Sequence, residues 1–345
     1  METDKINITP LVSIVIPSRN EEEFIGKCID SILASDQNTD TIEILVCDGE
    51  SDDQTIELVQ GYTKTNSSVK LLVNKYKTTP HGLNLGIKNA SGAVIMILGA
   101  HAEISPDYIS KSISILNNSD DIGCVGGVLE NIASGSANAI SLAMSSPFGV
   151  GNAFFRTGNK NGYVDTVAFG AYKKEVFEKV GFFDEELIRN QDDELNYRLT
   201  KAGYKIFLSQ EIRARYYVRT SYEKLFRQYF QYGYWKVYVN KKHKTLTTLR
   251  QLAPLFFVLF CFSGLIVPFL PGSFIEFYLL ILGLYCSMSI IAAINKSMNL
   301  ISILQIMYSF LILHISYGLG YLEGILHFYF LNRKPSSFKA TSSRY

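Results

Sequence analysis

The chain has 345 residues, with 33 Lys and Arg set against 32 Asp and Glu. That length suits one large domain with an appendage, or two domains. The balanced charge argues against a nucleic-acid binder, which needs an excess of cations to neutralise phosphates. The average hides an asymmetry. Up to about residue 220 the composition is that of a soluble domain rich in Asp and Glu. From Lys224 to Ser273 there is no acid, but Lys224, Arg227, Lys236, Lys241, Lys242, Lys244 and Arg250 stand there, and long apolar runs follow. The five cysteines (Cys28, Cys47, Cys124, Cys261 and Cys286) form no Cys-x-x-Cys pair. That spacing fits neither a zinc site nor a disulfide framework, so free thiols in a reducing compartment are expected. METDKINITP has no basic segment leading into an apolar core, so a cleaved signal peptide is not expected.

In chain order, Leu11–Ile16 is a short, continuous, β-branched run, as a strand buried on both faces should be. Pro17 is expected to stop it. Phe24, Ile25, Cys28, Ile29 and Ile32 then recur at helical spacing. A second unit places a strand at Ile42–Cys47, an acidic loop, and a helix from about Gln54. Further strands are predicted at Val69–Asn74 and at 93–98, with a helix around Leu83–Ala90 between them. Alternation of this kind argues for a parallel sheet covered on both faces. Ligands of such sheets bind beyond the carboxyl ends of the strands. One pocket lined by the loops Pro17–Glu21, Asp48–Thr55 and Gly99–Glu103 follows. None of these loops carries Gly-x-Gly-x-x-Gly or a Walker lysine, which disfavours a dinucleotide fold or a P-loop.

Further on, RNQDDELNYRL (189–199) sets Asp192, Asp193 and Glu194 before an apolar ladder. Taken alone, the three acids are the first turn of a helix, complementing its dipole, with Asn190 as N-cap. To act chemically, one of them needs a pocket and a substrate.

The motifs together carry a resemblance. PSRNEE, CDGESDDQT, GLNLGIKNASGAVIMIL (82–98) and QDDELNYRL resemble the motifs of family 2 glycosyltransferases. MSSPFGVGN (144–152), YVDTVAFGAYKKEVFEKVGFFDEEL (163–187) and RQYFQYGYWKV (227–237) are similar to its succinoglycan-biosynthesis ExoA-type branch. The similarity extends over most of residues 10–250 and rests on the order and spacing of the motifs.

The resemblance implies an α/β, GT-A fold, a Rossmann-like mixed sheet that is mainly parallel, followed by C-terminal transmembrane helices. It implies that Pro17 and Glu21 shape the pocket for base and ribose. Asp48, with Ser51 beside it, would accept the uracil N3–H of a UDP-sugar, a task suited to an acceptor-only group. The other reading of Asp48 and Ser51 is a satisfied polar turn, and Asp53 reads as a helix cap. Most relatives hold Mn2+ or Mg2+ through Asp-x-Asp after the fourth strand. Here ILGAHAEIS puts Gly99 and His101 at those positions. His101 is then the metal candidate, with Glu103 and Asp165 as possible helpers; an imidazole suits Mn2+ better than Mg2+. Alternatively, His101 donates a hydrogen bond to the diphosphate with no metal. Asp192 falls where the family keeps the base that deprotonates the acceptor hydroxyl, with Gln191 in place of the usual Glu. Asp193 and Glu194 would orient the loop, and Arg198 would pair with Glu194 one turn on. QYGYW (231–235) sits where processive relatives have Gln-x-x-Arg-Trp, with Tyr234 for the Arg. Gln231 and Trp235 would line an acceptor channel, or Trp235 would pack an amphipathic helix onto the membrane.

Beyond 250, the runs 253–271 and 274–294 are each long enough to span a bilayer, and the run from Leu300 to Leu331 is too long for one straight span. Basic residues before 253 place that end in the cytoplasm, whereas three spans would put the basic tail outside; a re-entrant or interfacial segment is the alternative. The expected organisation is a GT-A domain at 1–220, basic interfacial helices at 221–250, a membrane region at 251–331 and a tail at 332–345. The function expected is a multi-pass, cell-membrane inverting glycosyltransferase with a cytoplasmic catalytic domain. It would use a nucleotide-sugar donor and a lipid-linked (polyprenyl diphosphate) acceptor in exopolysaccharide or surface-glycan synthesis, without nucleic acid. A processive synthase and a non-catalytic nucleotide-sugar-binding scaffold remain the rival readings.

Overall fold

A computed structural model describes residues 12–133, 137–219, 221–247 and 249–335. The chain forms two compact units, the first mainly from Met1–Glu130 and Gly158–Tyr216, the second from Asn131–Thr157 and Tyr217–Ser337. The segment 131–157, expected inside the catalytic domain, thus groups with the C-terminal half.

The first unit is built on strands β1 (Val12–Ser18), β2 (Ile42–Asp48), β3 (Val69–Val73), β4 (Val94–Ile97), β5 (Ala102–Ile104), β6 (Ile122–Ile132), β7 (Gly162–Val164), β8 (Ala171–Lys173) and β9 (Lys205–Tyr217). Their order is β3-β2-β1-β4-β8-β6-β9-β5, with β7 on β9. β3, β2, β1 and β4 pair in parallel. β8 runs antiparallel to β4 and β6, and β5 and β7 run antiparallel to β9. The sheet is mixed as expected, with its parallel pairs at β3, β2, β1 and β4. β1 also runs through Pro17 instead of stopping before it. Val15 accepts from Leu98 N just where β4 ends, so the N–H that Pro17 lacks faces no strand.

Strand β2 carries a charge that apolar patterning does not reveal. Glu43 is 2% exposed, and its carboxylate accepts from Ser13 Oγ (2.5 Å), Ser91 N (2.5 Å), Ser91 Oγ (2.7 Å) and Lys70 Nζ (2.9 Å). Burial pushes its pKa up, but the hydrogen bonds from Ser13, Ser91 and Lys70 outweigh burial and hold it at about 2. A carboxyl depressed on folding stabilises above its unfolded pKa near 4.5 and loses that contribution as pH falls towards about 2. Glu43→Ala should therefore cost about 2–4 kcal/mol at neutral pH, by stranding its donors. In urea titrations the gap from wild type should narrow between pH 4.5 and 2; a gap constant across that window would assign the loss to packing alone.

Buried Cys28, Cys47 and Cys124 are free thiols, and burial pushes the pKa of each upward, Cys47 to about 12. They are packing residues.

The second unit centres on two helices, Tyr222–His243 and Leu300–Ile325, brought together by glycines. A Cβ on Gly233 would lie 2.0 Å from Tyr317 O, and one on Gly320 2.0 Å from Phe230 O. Helices bearing such small residues pack backbone to backbone. Asn240 ties the unit further, donating to Gln251 Oε1 (2.8 Å) and Tyr321 Oη (3.0 Å) and accepting from Thr247. Trp235 is 3% exposed and packs among Tyr234, Tyr238 and Phe328. Of the two readings of QYGYW, the geometry supports packing: the indole offers no open face for a sugar ring, and Gln231 on the same helix is half-buried. Lys241, in the acid-free basic stretch, donates to Phe328 O and to Asn332 Oδ1 (2.9 Å).

The expected span 253–271 is instead a twelve-residue helix, Leu252–Ser263, followed by turns through Pro268. At about 1.5 Å per residue it is too short to cross a bilayer. Gly272–Ile294 and Leu300–Phe330 are long and apolar enough to do so. His314, which interrupts the last apolar run, is accommodated by Tyr285 Oη (3.0 Å) and Phe148 O (2.9 Å). Most of the basic tail, from residue 336, lies outside the described residues.

Candidate active site

The loops after β1 and β2 are stitched together around Asp48, the last residue of β2. Its buried carboxylate accepts from Ser18 Oγ (2.9 Å), Ser51 N (2.8 Å) and Ser51 Oγ (2.7 Å). Three donors leave an ionised carboxylate with capacity for one more. Asn20 N donates to Ser51 Oγ, and Asp52 N donates back to Asn20 Oδ1. Asp53 accepts from Thr55 N (3.0 Å) and Glu22 N (3.2 Å), bridging the two loops, while Gln54 and not Asp53 is the N-cap of the helix Thr55–Thr65. Pro17, half-buried, closes the floor against Gly82, whose Cβ would lie 3.4 Å from the proline ring.

Sequence reading missed Arg19. Its Nε and Nη1 are buried without a hydrogen-bond partner among the described residues, beside Gly49, where an added Cβ would lie 3.4 Å from Arg19 Cδ. A buried guanidinium in this state invites an acceptor from a ligand. The signal was its place two residues after Pro17, in PSRNEE.

Glu21 turns away from the Asp48 side of the pocket. Its N–H is held by Thr55 Oγ1 (2.8 Å), and its buried carboxylate meets His101 Nδ1 at 3.0 Å. The imidazole also contacts Tyr216 edge-on, with ring centroids 5.1 Å apart. At position 99 a side chain is excluded, because a Cβ there would meet the Phe169 ring at 2.9 Å. Phe169 has φ +52° and its carbonyl accepts from Tyr108 Oη (2.8 Å), so its backbone is held in place beside Gly99. The missing Asp of Asp-x-Asp is therefore replaced by an aromatic wall.

Among the described residues, no three His, Cys, Asp or Glu side chains cluster to hold a metal ion. Glu103, a possible helper, lies 3.9 Å from Arg215. His101, the metal candidate of the sequence, has the Glu21 carboxylate at its Nδ1 and no set of further His, Cys, Asp or Glu side chains around it among the described residues. An imidazole whose other nitrogen is held by a carboxylate is the usual arrangement of a metal-bound histidine.

The strap 165–170 links this wall to the acidic helix. Ile97 N donates to Gly170 O (2.9 Å) at one end. Near the other, Thr166 Oγ1 accepts from Asn196 Nδ2 (3.0 Å), and Tyr172 Oη donates to Asn196 Oδ1 (3.2 Å). In the helix Gln191–Lys201, Glu194 is 1% exposed and forms the expected pair with Arg198 (2.8 Å). Arg198 also donates to the carbonyls of Val180, Gly181 and Phe182. This is a structural clamp. Asn190 occupies the N-cap with φ +62° and makes no side-chain capping bond. Asp193 is half-buried, whereas Asp192 is exposed and accepts from Asp193 N (2.9 Å). Tyr172 feels Asp192 too: burial first, then neighbouring negative charges including Asp192, raise its pKa. Three residues outside the sequence reading anchor the loop before Asp192. Asn84 pairs with both backbone groups of Phe183 (3.0 and 2.9 Å) and donates to Glu185 (2.9 Å), which lies 3.4 Å from His81. Gln231 and Trp235 belong to the second unit.

The family model described as glycosyl transferase family 2 matches residues 13–181. A dolichyl N-acetyl-α-D-glucosaminyl phosphate 3-β-D-2,3-diacetamido-2,3-dideoxy-β-D-glucuronosyltransferase of Methanococcus voltae is 32% identical over 64% of this chain and 71% of its own length. The succinoglycan biosynthesis protein ExoA of Rhizobium meliloti is 27% identical over 77% of this chain and 81% of its own. Among solved structures, the mannosyltransferase PcManGT of Pyrobaculum calidifontis, in complex with GDP-Man and Mn2+, superposes with a TM-score of 0.50 at 18% identity, covering 65% of this chain and 62% of that one. The chain spans less than two thirds of the PcManGT chain, whose GT-A-like fold it shares. On the sequence relationships, this chain belongs to glycosyl transferase family 2 and is a glycosyltransferase.

Proposed function

We propose that the enzyme moves a hexosyl group from a UDP-sugar to a lipid-linked saccharide, of the polyprenyl diphosphate type, with inversion at C1. The observation that carries the reading is the exposure of Asp192 in the same turn as Glu194, which is buried and paired with Arg198. Asp192 takes the proton of the acceptor hydroxyl as the C1–O bond to the leaving nucleotide breaks. A single base opposite the leaving group gives direct displacement, hence inversion. Asp48 offers its remaining acceptor capacity to the uracil N3–H, and Arg19 offers donors to the anionic part of the nucleotide. A divalent cation bound at His101 would add positive charge beside the leaving diphosphate.

The acceptor class is supported by the Methanococcus relative, whose name specifies a dolichyl-linked sugar phosphate. Membrane attachment is supported by the two long apolar helices. Taken as a two-span hairpin, they return the chain to the side on which it entered. Arg333 and Lys334 would then lie on the same side as the basic residues before 252, an arrangement the positive-inside rule favours. An anchor of this kind confines enzyme and acceptor to one surface.

The test is a transfer assay on purified protein in detergent, with a panel of UDP-sugars and undecaprenyl-diphosphate-linked saccharides as acceptors. The expected product carries one added sugar, whose anomeric configuration by NMR is opposite to that of the donor. A ladder of products would favour the processive synthase, against which the burial of Trp235 speaks. Binding of UDP-sugar without transfer to any acceptor would favour the scaffold.

A further inference from the structure

We infer that the joined ends of the helices Tyr222–His243 and Leu300–Ile325 form one docking patch for the phosphate headgroups of anionic bilayer lipids. The inference rests on the membrane reading of the C-terminal half. Contacts between the two helices advance in step. Tyr222 meets Tyr308, a Cβ on Gly324 would meet Tyr234 O, and Lys241 Nζ reaches Phe328 O. The helices therefore run parallel and finish side by side. Lys241, Lys242 and Lys244 end the first, and the chain leaves the second through the π turn Leu326–Phe330 into Arg333 and Lys334. Lys241 and Asn332, 91 positions apart, are hydrogen-bonded at 2.9 Å, so two basic segments remote in sequence share one place. Arg333 N donates to His327 O (2.9 Å), which keeps the second segment there. An ammonium has three donors; Lys241 gives two of them to Phe328 O and Asn332 and keeps the third for a ligand. Neither 241–250 nor 324–335 contains an acid. The simpler account is that cations complement helix C-termini. Two such ends together carry about one negative elementary charge, against the five cations Lys241, Lys242, Lys244, Arg333 and Lys334. Nor does a dipole call for the rim of exposed side chains Tyr329, Phe330 and Leu331, of which Phe330 is 77% exposed. Lysine and arginine clustered beside aromatic residues at the end of an apolar helix suit an anionic leaflet.

The test titrates the full chain, purified in neutral detergent, with phosphatidylglycerol and with phosphatidylcholine, and counts bound lipid by native mass spectrometry. Wild type should hold phosphatidylglycerol about tenfold tighter or more. Lys244→Gln and Arg333→Gln change exposed residues, one from each segment. Each should weaken phosphatidylglycerol binding about fivefold, the effect of one cation near an anionic leaflet, and leave phosphatidylcholine binding unchanged. Lys64→Gln removes the same charge from an exposed site on the helix Thr55–Thr65 and should change neither. Trp235 is the single tryptophan and packs against Phe328, so unchanged tryptophan emission shows that a variant keeps its helices together. Raised salt should narrow the preference, since exposed charges are screened over about 8–10 Å. Equal binding of the two lipids would overturn the inference, as would an equal loss in Lys64→Gln or a loss confined to one segment. Displacement of phosphatidylglycerol by a trace of undecaprenyl diphosphate would also overturn it, by giving the patch to the acceptor. A chain that stays monodisperse without detergent would instead sink the membrane reading itself.

Discussion

Asp192→Asn should lower turnover by roughly 100-fold or more, the usual contribution of a positioned general base, with donor affinity nearly unchanged. An amide of the same shape keeps the hydrogen bond from Asp193 N but cannot take a proton from a sugar hydroxyl. The neighbouring carboxylates provide internal controls. Glu194 is locked to Arg198, and Arg198 to three carbonyls at residues 180–182. Glu194→Gln should therefore show first as a lower melting temperature. Asp193 is half-buried in the same turn, so Asp193→Asn is expected to affect acceptor KM more than kcat. The measurement is initial rate against donor and acceptor concentration for each variant. Near-normal kcat in Asp192→Asn would remove the base from this position, and a 100-fold loss in Asp193→Asn alone would move it by one residue.

Gly320→Val should destabilise the second unit by about 3 kcal/mol or more, at the upper end of overpacking costs. A Cβ at 320 would lie 2.0 Å from the backbone oxygen of Phe230, which cannot rotate away as a side chain would. The helix Leu300–Ile325 would have to separate from Tyr222–His243, and this would disturb the Asn240–Tyr321 hydrogen bond and the packing of Trp235. Gly283 makes the contrast, since a Cβ there meets nothing within 4 Å. Thermal unfolding in detergent, followed by near-ultraviolet circular dichroism, should show a large drop in Tm for Gly320→Val and little change for Gly283→Ala. Equal melting of Gly320→Val and wild type would mean that the two helices are not held by close backbone contact.

Much of the first unit follows from the sequence because its signals are local. Uninterrupted β-branched runs give β1, β2 and β4, helical spacing gives the helices between them, and chain order places their loops at one end of a sheet. The pairing of Glu194 with Arg198 is also local, since it needs only helical geometry. The motifs of the resemblance point to Asp48, His101 and Asp192 for the same reason: each lies within a few residues of a strand end or a helix start.

What the sequence could not supply were the contacts made across long separations. Nothing near Glu43 announces that Ser13, Lys70 and Ser91 will satisfy it, and nothing near Glu21 announces His101. ILGAHAEIS shows that an aspartate is missing, but not that Phe169, seventy residues on, occupies its space. QYGYW reads equally as a sugar platform or as helix packing until Gly233 and Gly320 are seen to close two helices together and seal Trp235 inside. The hydropathy of 253–271 likewise allows a span that the turn after Ser263 does not form. In each case the deciding term is the burial or hydrogen bonding of groups far apart in the chain. Local propensity and spacing are blind to such terms, which exist only once tertiary packing has brought the groups together.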